Sequence, residues 1–216
     1  MQKSIPLAPG KYYHIYNRGN NRENIFFEER NYPYFLRLYA KYVEPVADTF
    51  AYCLMRNHFH VLVRIRETFA VSETAKVSIT PGQTFGVSET PKVLTSANVL
   101  QHFSNFLNSY AKAINKAYNR TGALFQKKFG RIEVTSDRYF LALIHYIHFN
   151  PQKHGFVDDF RTYPYSSYSA ILSTRPTRLK RDEVLGWFGG ASRFDSFHQA
   201  QADEKLIQPL IADDVE

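Results

Sequence analysis

His58-Phe59-His60 opens an apolar run, HFHVLVRI (58–65), that reads as a β-strand. Successive strand side chains point to opposite faces, so His58 and His60 share one face and Phe59 takes the other. Two imidazoles on one face can chelate a divalent cation. Zinc, iron, copper and manganese all accept imidazole, so the pair names no metal, and paired strand histidines also occur without one. His14, on an earlier strand, is either an ordinary strand histidine or a group standing behind a ligand.

The elements that must carry these residues follow from periodicity. Residues 11–17 alternate as a strand, with a turn at Arg18-Gly19-Asn20-Asn21. Residues 28–43 suit an amphipathic helix ended by Pro45. Residues 49–55 form a second strand, joined to 58–65 by a tight Arg56-Asn57 hairpin. Residues 97–118 place Leu100, Phe103, Phe106, Leu107, Tyr110 and Ile114 on one stripe of a long helix. A basic loop and short strand cover 124–134, and a helix spans 137–149, ended by Asn150-Pro151. The expected fold is α+β: a ferredoxin-like antiparallel sheet with helices on one face, His58 and His60 on a central strand, and a C-terminal helical extension. Residues 1–170 form the main domain, and 171–216 the extension with an acidic tail. Within the main domain, 67–94 is an inserted surface loop or hairpin. There TFAVSETAKV (68–77) recurs as TFGVSETPKV (84–93), matching at 8 of 10 positions.

Composition narrows the classes. The chain has 216 residues and 16% aromatics, which excludes a mostly disordered chain. Cys53 is the single cysteine, so an intramolecular disulfide and a multi-cysteine metal site are excluded. The longest strongly apolar run, 139–149, is too short to span a bilayer. With no signal-peptide pattern at the start, a soluble cytoplasmic protein is expected. Residues 110–181 hold 13 basic against 4 acidic side chains, net +9, while 182–216 hold 2 against 8, net −6. A basic middle favours a polyanionic partner such as nucleic acid. Arg18, Arg120, Lys127, Lys128 and Arg131 are the DNA-contact candidates, since arginine suits bidentate phosphate or guanine contacts and lysine suits phosphate. Phe125 and Phe129 lie in the same stretch, where they either stack on unpaired bases or pack in the core.

The stretch Tyr52-Cys53-Leu54-Met55-Arg56-Asn57-His58-Phe59-His60-Val61-Leu62 resembles the A-Y-x-x-M-x-N-H-x-H segment of the single-tyrosine transposases, members of the HUH nucleases. Four further segments resemble the same family in the same order. They are Tyr13-His14-Ile15-Tyr16-Asn17-Arg18-Gly19, Gly122-Ala123-Leu124-Phe125-Gln126, Tyr146-Ile147-His148-Phe149-Asn150-Pro151 and Tyr163-Pro164-Tyr165-Ser166-Ser167-Tyr168. The last has Tyr165 where the family usually has Trp. The last two are most similar to the REP-associated tyrosine transposases. The resemblance covers roughly residues 11–66 and 97–170.

The resemblance implies cleavage of single-stranded DNA by a tyrosine that keeps the 5′ phosphate and releases a 3′ hydroxyl. The covalent link conserves the phosphodiester energy, so rejoining needs no nucleotide cofactor. It implies Tyr110 as nucleophile, in the pattern Tyr110-Ala111-Lys112-Ala113-Ile114-Asn115, with Tyr118 the runner-up. Periodicity alone makes Tyr110 a core residue. It implies Asn115 as third metal ligand beside His58 and His60, with Gln126 or Asn119 as substitutes. Five residues put Asn115 about 140° around the helix from Tyr110, an awkward separation. Two imidazoles and one amide leave room for phosphate oxygen and water, which suits Mg2+ or Mn2+. The expected partner is single-stranded or hairpin DNA, bound by a monomer or homodimer. The other classes kept open are a catalytically silent binder of structured DNA repeats, a rolling-circle initiator or relaxase, and a metalloenzyme acting on a small molecule.

Overall fold

A computed structural model describes residues 5–72 and 89–200. The strands are β1 (Tyr12–Arg18), β2 (Ala47–Met55), β3 (His58–Ile65), β4 (Thr68–Ser72), β5 (Glu89–Val93) and β6 (Gly130–Val134). The helices are α1 (Asn31–Tyr42), α2 (Ser96–Ala117), α3 (Asp137–Lys153), α4 (Tyr168–Leu172), α5 (Arg181–Phe188) and α6 (Ala191–Gln199). Four strands make one antiparallel sheet in the order β2-β3-β1-β6, so the two histidines lie on a central strand as expected. Met55 pairs with His58, which confirms the two-residue turn at Arg56-Asn57. β4 and β5 pair with each other, Thr68 opposite Val93, as the arms of a separate hairpin. Residues 73–88, half of the two repeat copies with the stretch between them, and the tail 201–216 lie outside the described residues.

The sheet carries helices on both faces, which corrects the single helical face expected from sequence. Phe59, Val61, Val63 and Ile65 of β3 share a core with Tyr13, Ile15 and Leu54, closed by Phe35, Phe103, Phe106, Tyr110 and Ile114 of α1 and α2. Leu62 lies in a second core with Phe50, Cys53 and Met55, closed by Leu143, Ile147, Tyr168, Val184 and Phe194 of the later helices. The reason is visible in the strands. Every residue of β2 except Tyr52, and of β3 except Arg64, is buried. A sheet that is apolar on both sides must be covered on both.

The caps hold the two long helices in place. Thr95 accepts from the Asn98 N–H and Asn98 answers at the Thr95 N–H, a reciprocal box that starts α2. Ser136 accepts from the Tyr139 N–H to start α3, a contact worth about 1 kcal/mol. Pro151 does not end α3. It sits in the last turn, and the helix continues to Lys153. The proline forgoes one N–H donor, and burial of Asn150 and Pro151 against the body of the protein compensates.

Polar side chains stitch the C-terminal helices down. His148 Nδ1 meets His198 Nε2 at 2.9 Å, and its Nε2 meets Ser167 Oγ at 2.8 Å. Chain 165–180 also covers the outer edge of β2. The Leu54 N–H donates to the Tyr165 carbonyl, Ser167 to Tyr52, and Lys180 to Thr49, each at 2.9 Å. Burial holds His145 below the usual histidine range and His148 well below it, and pushes His198 down to about 3. Below about pH 6.5 the unfolded chain takes up protons that these three folded histidines refuse. Stability is therefore full above about pH 6.5 and declines as the pH falls. Thermal melts should show a lower Tm at about pH 5 than at about pH 7.5; an unchanged Tm would contradict this burial account.

Candidate active site

The pleat of β3 sends His58 and His60 to the face that α3 covers, together with Leu62. His58 is 3% exposed and His60 fully buried. Their rings stand 5.2 Å apart at 88°. Both have Nδ1 tied down. Asn57 Oδ1 accepts from His58 Nδ1 at 2.6 Å, and His14 Nε2 lies 2.9 Å from His60 Nδ1. A hydrogen bond at Nδ1 fixes ring orientation and makes Nε2 the coordinating nitrogen of a metal-bound histidine. His14 therefore lies directly behind the His60 ring, at its Nδ1.

One tyrosine of α3 faces this pair. The Tyr146 ring lies 5.7 Å from His60 and 6.3 Å from His14, edge-on to both. The Lys153 ammonium sits 5.3 Å from the centre of the Tyr146 ring, two turns further along. His154 packs edge-on against His58 at 5.1 Å. Asn150, one turn beyond Tyr146, donates from Nδ2 to the Tyr146 carbonyl at 2.9 Å. Its Oδ1 is buried and meets no hydrogen-bond partner among the described residues. Tyr16 completes the wall, its ring 4.9 Å from His14 and 5.9 Å from His60. Burial holds His60 well below the usual histidine range, and His14, His154, Arg18 and Lys153 add to the effect. The site thus sets buried imidazoles, His60 held towards its neutral form, beside the cationic side chains of Arg18 and Lys153.

Tyr110 and Asn115 are not brought to the histidines. α2 docks on the other face of the sheet because its stripe of Phe103, Phe106, Tyr110 and Ile114 matches Phe59, Val61 and α1. Tyr110 is fully buried, packs edge-on against Phe35 at 5.0 Å, and donates to the Ile25 carbonyl at 2.8 Å. Burial drives its phenol far above the usual tyrosine range, in keeping with its place in the core. Asn115 donates to the Gly122 carbonyl at 2.9 Å and fastens the chain after α2. Tyr118, the runner-up, stacks on Phe27 at 4.6 Å and donates to Asn31. Among the described residues no three His, Cys, Asp or Glu side chains cluster as a metal site.

The basic candidates divide. Arg18 pairs across the sheet with His58 at the same end, and its charge reaches His60. The Gln126 N–H donates to the Arg18 carbonyl at 3.0 Å, which brings the exposed Lys127 and Lys128 beside that end. Arg120 is engaged elsewhere, paired with Glu23 and lying over the Phe27 ring at 5.5 Å. Arg131 lies over Phe129 at 5.3 Å, on the face away from the histidines. Phe125 is a core residue.

Sequence reasoning missed Tyr146, Asn150, Lys153, His154 and Tyr16. A signal was present: Tyr146 and Asn150 stand four apart, the spacing that places two side chains on one helix face and that Tyr110 and Asn115 lack. The Tyr16 wall depends on Gly130. A Cβ there would lie 2.1 to 2.5 Å from three Tyr16 ring atoms. Gly130→Ala should displace the ring at a cost of about 1–3 kcal/mol, read as a lower Tm. Adding Tyr16→Ala to Gly130→Ala should recover most of that extra loss in a double-mutant cycle.

No family model matches the chain. A Haemophilus influenzae protein named for the REP-associated tyrosine transposases is 24% identical over 124 residues, 56% of this chain. The match spans 58% of that relative, less than two thirds of its length. A solved structure of a REP-associated tyrosine transposase bound to a REP hairpin superposes with a TM-score of 0.55 at 12% identity. It covers 82% of this chain and 88% of that one, a likeness of fold. In sequence over about half its length, and in fold over most of it, the chain is similar to REP-associated tyrosine transposases, the family its motifs resemble.

Proposed function

We propose that the protein is a metal-dependent single-strand DNA endonuclease and strand transferase, with Tyr146 as the nucleophile. The observation that carries this reading is the placement of Tyr146 on the histidine face, 5.7 Å from His60, with Lys153 over its ring. Tyr110 is assigned to the core. The Tyr146 hydroxyl attacks the scissile phosphorus, the 3′ oxygen departs, and the 5′ phosphate stays on the tyrosine. Return of a 3′ hydroxyl reverses the step and joins strands. Arg18 and Lys153 attract and orient the phosphate, and Lys127 and Lys128 hold the flanking strand. The expected substrate is hairpin DNA with an unpaired flank, by analogy with the hairpin in the structural neighbour.

The donor set suits a hard divalent cation. His58 and His60 supply two nitrogens, and the buried Asn150 Oδ1 supplies an oxygen in place of Asn115. Two imidazoles and one amide leave positions for phosphate oxygen and water, which fits Mg2+ or Mn2+. Such an ion, when bound, polarises the scissile phosphate as a Lewis acid. A second reading, a binder of structured DNA that does not cut, is favoured by one observation: Tyr146 is only 1% exposed.

Covalent trapping on a denaturing gel separates the two. Labelled single-stranded oligonucleotides from the repeats flanking the gene, with Mn2+ or Mg2+, should give a protein–DNA adduct carrying label from the 3′ side of the cut. Tyr146→Phe should abolish the adduct and retain hairpin affinity. Tyr110→Phe should keep cleaving and lose about 1 kcal/mol of stability with its hydrogen bond. An adduct that survives Tyr146→Phe would refute the nucleophile; tight, salt-sensitive binding with no adduct from the native chain would establish the binder.

A further inference from the structure

A cavity of about 600 Å3 lies between α1, the outer edge of β2 and the chain 177–179 that crosses that edge. It is remote from the histidines. Tyr39 and Tyr52, which line it, belong to the Phe59 side of the sheet. Thr49, also in its lining, stands six residues along β2 from Met55, the partner of His58, a separation of about 20 Å. Ala40 and Leu179 give it apolar walls, and the two tyrosines give it aromatic ones. At its inner end the buried Tyr39 hydroxyl and Thr49 Oγ1 lie 2.9 Å apart. Two hydroxyls that share one hydrogen bond carry a second proton to offer a ligand. The mouth is cationic: Arg37, Lys41 and Arg178 are exposed there, against the single carboxylate of Glu44. Arg37, Ala40 and Lys41 stand three and four apart, which puts them on one face of α1. Arg178 reaches across from the crossing chain to Glu44 at 2.6 Å. An ion pair this exposed is weakly held and exchanges readily for another anion.

We propose that this cavity is a binding site for a free nucleoside monophosphate, separate from the histidine site. Its size falls within the range of small-molecule sites, which join apolar and aromatic walls to a few convergent polar groups. The base enters along the Tyr52 ring, and an acceptor on its edge takes the spare proton of the Tyr39–Thr49 pair. The phosphate stays at the mouth. There Arg37 and Lys41 meet it, and Arg178 exchanges the Glu44 carboxylate for it. The three cations select an anion over a neutral nucleoside. The aromatic walls and the inner hydroxyls select a flat base over a bare phosphate. The proposal is independent of the strand-cleavage reading.

Calorimetric titration of the full chain with 5′-AMP is the test. Binding should saturate, and adenosine and inorganic phosphate should each bind about tenfold or more weakly than 5′-AMP. Arg37→Ala and Lys41→Ala should each weaken 5′-AMP by about tenfold. Glu44→Gln should tighten it by about threefold, because it removes a carboxylate from the mouth and frees Arg178. A gain of affinity is a result that damage to the fold does not produce. Ala40→Trp fills the cavity and should abolish binding while the Tm stays close to that of the native chain. A hairpin oligonucleotide should leave bound 5′-AMP in place. Titration without saturable heat, or inorganic phosphate binding as tightly as 5′-AMP, would overturn the proposal. So would a Glu44→Gln chain that binds no better than the native one, or displacement of 5′-AMP by the hairpin, which would put the cavity on the path of the DNA.

Discussion

The pleat of β3 sends His58, His60 and Leu62 to one side of the sheet and Phe59, Val61, Val63 and Ile65 to the other. Because both sides are buried, the choice of helix layer on each side decides which side chains can ever meet the histidines. α1 and α2 bring aromatic bulk to the Phe59 side. α3 brings Tyr146, Asn150 and Lys153 to the histidine side. A shift of β3 by one residue would exchange the two sets and bury the histidines among phenylalanines.

Holding α3 in place is the work of the C-terminal helices. Asp48, 8% exposed, sits between Arg64 and Arg66, each at 2.9 Å, and Glu183 of α5 closes on Arg64 at 2.9 Å. Burial alone would raise the Asp48 carboxyl, and the flanking cations outweigh it and hold it below its ordinary range. Arg64 in turn covers the Tyr12 and Phe50 rings. His148 faces away from the site, towards Ser167 and His198, while its neighbour Tyr146 faces the site. One side of α3 is thus locked by a hydrogen-bonded polar network and the other faces the histidine pair. Buried networks of this kind hold a helix in one register because every alternative leaves a donor or acceptor unmatched.

The basic residues divide by position. The excess in residues 110–181 is a property of the chain, yet its members lie in different parts of the fold. Lys127, Lys128 and Lys153 gather with Arg18 at the histidine end of the sheet. Arg120 closes on Glu23 and Phe27, and Arg131 lies on the far face. The continuation of α3 through Pro151 to Lys153 makes the difference for Lys153 and His154. Had the helix stopped at Asn150, neither would reach the site.

The sequence alone determined the strands that flank the Arg56-Asn57 turn, the common face of His58 and His60, the long helices, and the family resemblance. These are local properties, fixed by period-two and period-3.6 patterning and by short motifs. Which tyrosine meets the histidines was decided only by tertiary structure. Tyr110 and Tyr146 both lie on apolar helices, and periodicity says that each faces inward without saying towards which side of the sheet. That choice depends on long-range packing: the Phe103 and Phe106 stripe fits the Phe59 side, and α3 with the His148 network fits the other. The second helical layer was hidden for the same reason. Strands buried on both faces lose the alternation that would announce a one-sided sheet, and only the assembled fold shows what covers each side.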